Sequence, residues 1–413
     1  MMFSLVSYRM HRSRQTTGDD PASAGRCDPA AADRDQQSTT FIPVGRFFVN
    51  SSLSLLHVWL LLWQQREFFG DEGKDKREGA AHAASGLMRF ARAARWTLRF
   101  LRGRRASRSG GRSLELPVNG DIAIERRSGA VKVLDLSRKR MVTVMAASRS
   151  GGKLRARVSQ VRRVENYPFA PRIVEVALEQ GWFAESYVRG THPTGFRGCG
   201  DDFEEVYLPL LIALARAEPP HHERVGAITE RLAAGVLAPD ALLWRLEPPS
   251  RERVRAFVED FRERIGASPA AGDTLPLVLS HGDFFSGNVV ITPDGSMQAI
   301  DWAHLGHRSP LYDLYYLAIN HCGRALPTHE LPARIDAMLQ SFRQRLATLD
   351  AELFSALESS LDGRAELRWL FYLECISVPL EHCDDPGDRY IAAMLQRIEM
   401  FEALERSHAA PAG

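Results

Sequence analysis

From residue 122 onward the chain alternates between period-two and helical patterning in an order that sketches a fold. Ile122-Ala123-Ile124-Glu125 and Ala130-Val131-Lys132-Val133-Leu134 read as strands around the Arg126-Arg127-Ser128-Gly129 turn, and Arg140–Met145 reads as a third strand. A helix is predicted from Lys153 to Asn166, with Leu154, Val158 and Val161 on one stripe and Pro168 and Pro171 beyond its end. Arg172–Leu178 and Trp182–Val188 are two further strands, turning at Gln180-Gly181. Then helical spacing takes over. Phe203, Val206, Tyr207, Leu210, Leu211 and Leu214 repeat through residues 202–217, and amphipathic helices follow over 252–265, 331–349, 364–376 and 388–407. Pro219-Pro220, Pro248-Pro249 and Asp385-Pro386-Gly387 mark loops between them.

The first 112 residues are unlike the rest. Residues 1–46 are polar and aperiodic, the composition of a disordered segment. Phe47–Trp63 is an apolar run interrupted by Asn50, Ser51, Ser52 and His57, shorter than the roughly 20 residues of a spanning helix. Met88–Arg112 carries nine arginines and no acid, with Leu87, Phe90, Ala94, Leu98 and Leu101 on one stripe. Such a basic amphipathic helix suits an anionic membrane surface. Translation starting at Met88 is the competing expectation, which would leave residues 1–87 outside the natural protein. The expected division is therefore an extension over 1–112, a strand-rich lobe over 113–187 and a helical lobe over 188–408.

Composition narrows the class. The chain has 413 residues, 45% hydrophobic, enough for a core in each of two lobes. The formal charge of +2 hides an asymmetry: residues 1–112 hold 19 Lys+Arg against 10 Asp+Glu, leaving 34 against 41 for the remainder. The main body is acidic, which argues against nucleic-acid binding. Five scattered cysteines without a CxxC pair argue against a disulfide framework and for a reducing cytoplasm.

The candidate chemistry lies in one short stretch. His281-Gly282-Asp283-Phe284-Phe285-Ser286-Gly287-Asn288 is followed by Val289–Thr292, a Pro293-Asp294-Gly295-Ser296 turn, the returning Met297–Ile300 and then Asp301-Trp302. The turn falls midway between Asn288 and Asp301, so folding the hairpin sets an amide roughly opposite a carboxylate, at a cross-strand spacing of about 4.5–5.5 Å. That suits magnesium, which takes one or two protein oxygens and fills its shell with water and phosphate. Asp283 precedes the hairpin, where it can face an acceptor hydroxyl.

His281-x-Asp283 with Asn288 five residues on, then Asp301-Trp302, resembles the phosphotransfer site of aminoglycoside phosphotransferases, choline kinases and related small-molecule kinases. Protein kinases carry His-Arg-Asp and Asp-Phe-Gly in these places, and no Ala-Pro-Glu segment follows Asp301 here. The resemblance implies a two-lobed, α+β, protein-kinase-like fold and transfer of the ATP γ-phosphate to a small-molecule acceptor. It also implies a catalytic Asp283, a His281 that braces the catalytic loop, and Mg2+ held by Asn288 and Asp301. Gly306, Pro310, Asp313 and Leu314 match the family's following segment, with Asp313 as structural support or as the N-cap of its helix. Glu185-Ser186-Tyr187 falls at the interlobe hinge, whose backbone contacts adenine in this family, and Gly129 lies in the weak phosphate loop.

One family feature is missing. The strand that should end in a phosphate-gripping lysine ends in Met145, and the next helix has no central glutamate, only Glu165 near its end. Lys132, Arg140 and Lys153 are candidate substitutes, or all three are solvated surface charges. This motivates the alternative of a catalytically weak nucleotide-binding or scaffolding relative. For the acceptor, Glu374, Glu381, Asp384, Asp385 and Asp388 form an acidic cluster, read either as a cation-binding face or as solvated helix ends. Trp302, Trp369, Phe371 and Tyr372 could stack on a sugar or an ammonium, although their helical spacing suits a core. His304 and His307 flank the site, and no third ligand stands at zinc spacing.

Overall fold

The computed structural model describes residues 38–44, 47–64, 85–126, 130–145, 151–193, 203–321, 328–382 and 389–409. Gly129, the cluster Asp384, Asp385 and Asp388, and Cys27, Cys199, Cys322 and Cys383 lie outside the described residues. Cys375 is buried and unpaired.

The N-terminal lobe is one eight-stranded antiparallel sheet. In chain order it comprises β1 (Thr39–Val44), β2 (Phe47–Asn50), helices α1 (Leu55–Gln64) and α2 (Ser85–Arg108), β3 (Leu114–Leu116), β4 (Ile122–Glu125), β5 (Ala130–Asp135) and β6 (Arg140–Met145). Helix α3 (Gly151–Val164), β7 (Ile173–Ala177) and β8 (Trp182–Ser186) complete it, and the strands lie in the order β3-β1-β2-β4-β5-β6-β8-β7. From β4 onward the elements are those the patterning predicts. The segment before it differs: residues 39–44, expected to be disordered, form β1, and Phe47–Asn50 pairs with both β1 and β4. Two of these strands are short, and their Phe, Val and Ile residues do not alternate with polar ones. Both faces of β2 are buried, so the period-two signal is erased.

The register sorts the side chains onto two faces. Val49 pairs with Ile122, Ile122 with Leu134, Lys132 with Thr143 and Met141 with Glu185, so these residues share one face. On that face α1 and α2 bury Val58, Leu61 and Phe100 against Ile42, Val44, Val49, Ile122 and Leu134. The opposite face buries Phe41, Phe48, Val133, Val142, Val144 and Trp182. Each fully buried aliphatic side chain contributes about 1.5–3 kcal/mol, so the two N-terminal strands and α1 belong to the folded core of this lobe. The sheet lobe therefore extends beyond the 113–187 expected from the patterning and takes in β1 and β2.

The C-terminal lobe is mainly helical. A π-helical turn over Phe203–Tyr207 runs into α4 (Leu208–Ala217), then β9 (His221–Arg224), α5 (Val225–Leu237), α6 (Pro248–Ala267) and β10 (Thr274–Ser280). The hairpin β11 (Val289–Ile291) and β12 (Met297–Ala299) follows, then β13 (Gly306–Arg308), α7 (Tyr312–His321), α8 (Leu331–Leu349), α9 (Ala351–Leu357), α10 (Ala365–His382) and α11 (Arg389–Ala409). Pro248 and Pro249, which patterning places in a loop, occupy the first turn of α6, where a missing N–H costs nothing. One continuous core joins Phe257, Phe261, Phe371, Tyr372 and Phe401 with the loop residues Phe284 and Trp302. Reciprocal backbone bonds between Thr191 and Ile291, 2.9 Å each, tie the segment after β8 to the hairpin, and Ala299 N–H to the Phe169 carbonyl at 2.7 Å joins the two lobes.

Candidate active site

The loop between β10 and β11 is held from below by a buried carboxylate. Asp313, in the first turn of α7, accepts hydrogen bonds from the backbone N–H of His281 at 2.7 Å and of Gly282 at 3.0 Å. Burial raises its carboxyl above the usual range, opposed by the His281 charge and these two N–H donors. Gly282 has φ of 81°, and a Cβ there would lie 2.2 Å from the His304 carbonyl oxygen, so no other residue fits this turn.

His281 links the two halves of the site. Its Nδ1 accepts the Asp283 N–H at 3.3 Å and its Nε2 meets the Ile300 carbonyl at 3.0 Å, so the ring ties the loop to the residue before Asp301. The ring packs on Trp302 with centroids 4.5 Å apart. It is fully buried, so it braces rather than reacts.

Asp283 is held on both oxygens. Asn288 Nδ2 donates to its Oδ2 at 3.1 Å and to its backbone carbonyl at 2.9 Å, which orients the Asn288 carbonyl oxygen the other way. Tyr316 donates to Asp283 Oδ1 at 2.6 Å, and Arg397 donates to the Tyr316 oxygen at 3.0 Å while stacking 4.8 Å over its ring. Burial and the adjacent Asp283 charge push the Tyr316 hydroxyl well above its ordinary range, so it remains a donor.

The hairpin register sets Val289 opposite Ala299 and bonds Ile300 to Asn288, so Asp301 falls one position beyond Asn288. A one-residue offset in a regular strand would turn its side chain to the far face. Asp301 instead adopts φ of 66°, a left-handed conformation uncommon for a residue other than glycine. That single strained residue re-aims the carboxylate.

The carboxylate so aimed meets Lys132. The ammonium stands 3.9 Å from Asp301 Oδ1 and 3.4 Å from Glu185 Oε1, and Arg126 approaches Asp301 Oδ2 at 3.8 Å. Lys132, Arg126, Arg157 and His281 together outweigh burial and hold the Asp301 carboxyl at about 2, with Lys132 the largest contributor. Arg140, by contrast, is committed to Asp135 at 3.0 Å and to Glu175. Lys153 lies in the first turn of α3. Glu165 accepts the Ile173 N–H at 3.0 Å and braces β7. Met145 is buried in the core.

The remaining sequence candidates fall elsewhere. The N–H groups of Ser186 and Tyr187 are already bonded to the carbonyls of Arg172 and Lys139, both at 2.8 Å, and Glu185 is buried against Lys132. Glu374 is buried and burial lifts its carboxyl to about 8, so it forms no acidic face. Glu381 accepts from Ser377 at 2.7 Å. Trp302, Phe371 and Tyr372 are core, and Trp369 donates to Glu405 at 2.8 Å. His307 bonds Glu218 at 3.0 Å in an interlobe cluster with Arg163. Among the described residues no cluster of three His, Cys, Asp or Glu side chains could hold a metal. Arg126, Arg157, Tyr316 and Arg397 carry no local signal in the sequence and reach the site only through the packing of the sheet, α3, α7 and α11 on the loop.

Residues 169–369 match the phosphotransferase enzyme family. No curated protein matches the chain significantly. Among solved structures, it is similar to a choline/ethanolamine kinase family protein from Mesorhizobium loti at 15% identity, over 67% of this chain and 85% of that one, with a TM-score of 0.40. An ethanolamine kinase from Plasmodium vivax aligns at 14% identity over 68% and 82% with a TM-score of 0.46. An aminoglycoside phosphotransferase from Streptomyces rimosus, in complex with ADP and streptomycin, aligns at 18% over 60% and 92% with a TM-score of 0.37. The family span begins after α3, so the cation supplied by β5 lies outside it.

Proposed function

We propose that this chain is a kinase that moves the γ-phosphate of ATP to a hydroxyl of a small molecule, with Lys132 serving as the phosphate-gripping cation. The observation that carries this reading is the meeting of Lys132 and Asp301 at 3.9 Å, across from a loop whose Asp283 is braced on both oxygens. Phosphoryl transfer needs little covalent chemistry from a protein and much positioning and charge. Lys132 reaches the cleft from β5 instead of β6 because its partner in the register, Thr143, shares its face. Glu185 of β8 steadies the ammonium in place of a glutamate from α3. Arg126 and Arg157 add positive charge where a triphosphate would lie.

The donor set fits magnesium. Asp301 is ionised throughout the neutral range, and the Asn288 amide nitrogen is occupied by Asp283, which leaves its oxygen for a hard cation. Magnesium held by Asp301 and the Asn288 oxygen would supply positive charge to offset that of the phosphates. Asp283 orients the acceptor hydroxyl and takes its proton. The acceptor class we infer is a hydroxyl-bearing small molecule such as an amino alcohol, sugar or aminoglycoside.

The test pairs binding with turnover. Asp301→Ala should abolish magnesium-dependent ATP binding measured by calorimetry. ADP release screened over amino alcohols, sugars, aminoglycosides and nucleosides identifies the acceptor. Magnesium-dependent binding that survives in the Asp301→Ala protein refutes the site.

A further inference from the structure

The pair of helices before the sheet carries a surface that phosphotransfer does not use. Helix α1 has no Asp, Glu, Lys or Arg, and it buries Val58 and Leu61 while leaving Leu55, Leu56 and Leu60 exposed by 44%, 68% and 45%. Helix α2 buries Ala93 and Phe100 against the sheet and exposes Phe90 and Leu98 by 56% and 55%. Trp59 and Phe90 meet edge-to-face at 5.0 Å, so the two exposed sides adjoin. Eight large apolar side chains are exposed among the described residues, and five of them lie on this pair, which makes it a patch and not scatter.

The charge around the patch is of one sign. Arg95, Arg102 and Arg105 are exposed on α2 three, four and seven residues from Leu98, on the same side of the helix, and α2 contains no acid. We propose that this face docks on an anionic membrane surface, with Leu55, Leu56, Leu60, Phe90 and Leu98 entering the boundary between headgroups and acyl chains and the arginines on lipid phosphates. Charge complementarity and apolar depth are both needed for such binding, and both are present here. A nucleic acid would use the arginines but leave three exposed leucines in water, because leucine offers bases no stacking face. Neither helix spans: no described helix is long and apolar enough to cross a bilayer.

The experiment uses the full chain and sedimentation with vesicles of phosphatidylcholine alone or mixed with phosphatidylserine. Binding is expected to the mixed vesicles only, and to fall as salt rises well above about 0.1 M. Reversal of three surface arginines (R95E, R102E, R105E) should weaken binding at least about a hundredfold, since each contributes about a factor of five near an anionic surface. Leu56→Asp with Leu60→Asp should weaken it separately while the thermal melt stays unchanged, showing that the fold is intact. Equal binding to neutral vesicles, binding unchanged in either variant, or preference for a single-stranded RNA over the mixed vesicles overturns the proposal.

Discussion

Replacing Lys132 by Met probes the least expected part of the site. The ammonium is nearly buried, 3.4 Å from Glu185 and 3.9 Å from Asp301, and it is the largest reason that the Asp301 carboxyl sits at about 2. Two losses follow, and they can be separated. The first is the contact with phosphate: a charge-assisted bond is worth about 1.5–3 kcal/mol, so ATP affinity should fall by roughly ten- to a hundredfold. The second is stability, because Glu185 remains buried without its cation, at a cost of about 1–3 kcal/mol. Lys132→Met combined with Glu185→Gln should recover the stability in a urea melt but not the affinity in a calorimetric titration. Moving the lysine across the register, K132T with T143K, keeps the amine on the same face and should recover part of the affinity. Unchanged ATP affinity in Lys132→Met would refute the reasoning.

The other predictions address the loop, its surroundings and the sheet. Tyr316→Phe removes the donor to Asp283 Oδ1 and should lower kcat by about one to two orders of magnitude with little change in KM for ATP, the loss expected of a bond to a charged group. Glu374 has its folded carboxyl raised to about 8, so the folded state retains a proton that the unfolded chain releases. Stability should therefore be greatest below about pH 4.5 as far as this group is concerned and decline by up to about 1.4 kcal/mol per pH unit until pH 8, and Glu374→Gln should flatten that decline in urea melts. A chain beginning at Gly120 loses β1–β3, α1 and α2 and should show a lower melting temperature or fail to fold. A truncated chain that melts with the full-length protein would show that the extra strands are dispensable.

How much of this was legible in the sequence depends on how local each feature is. The strands and helix from β4 to β8, and the hairpin of β11 and β12, follow from alternation and turn chemistry within a few residues. Strands β1 and β2 did not, because β2 is buried on both faces and, beyond their own pairing, the two strands meet Leu114–Leu116 and Ile122 and Ala123, more than seventy positions on. The proximity of Asn288 and Asp301 was expected from a symmetric hairpin, yet the register is offset by one and Asp301 takes a left-handed φ, with its carboxylate toward Lys132. That strain leaves no mark in the pattern. Lys132 could be named as a candidate from its strand, but its inward direction depends on the register with Thr143. Arg397 and Tyr316 come from two helices eighty-one residues apart and could be found only through packing.

The central claim is that Asp283 performs the chemistry while the cations and magnesium ligands hold the nucleotide. Magnesium-dependent release of γ-phosphate from ATP, with water or the identified acceptor, tests it most directly when measured beside ATP binding in Asp283→Asn. Turnover should fall by about two to four orders of magnitude, as for loss of a general base, with ATP affinity nearly unchanged. Full turnover in Asp283→Asn, or no γ-phosphate transfer by the unmodified protein under any acceptor, would contradict it.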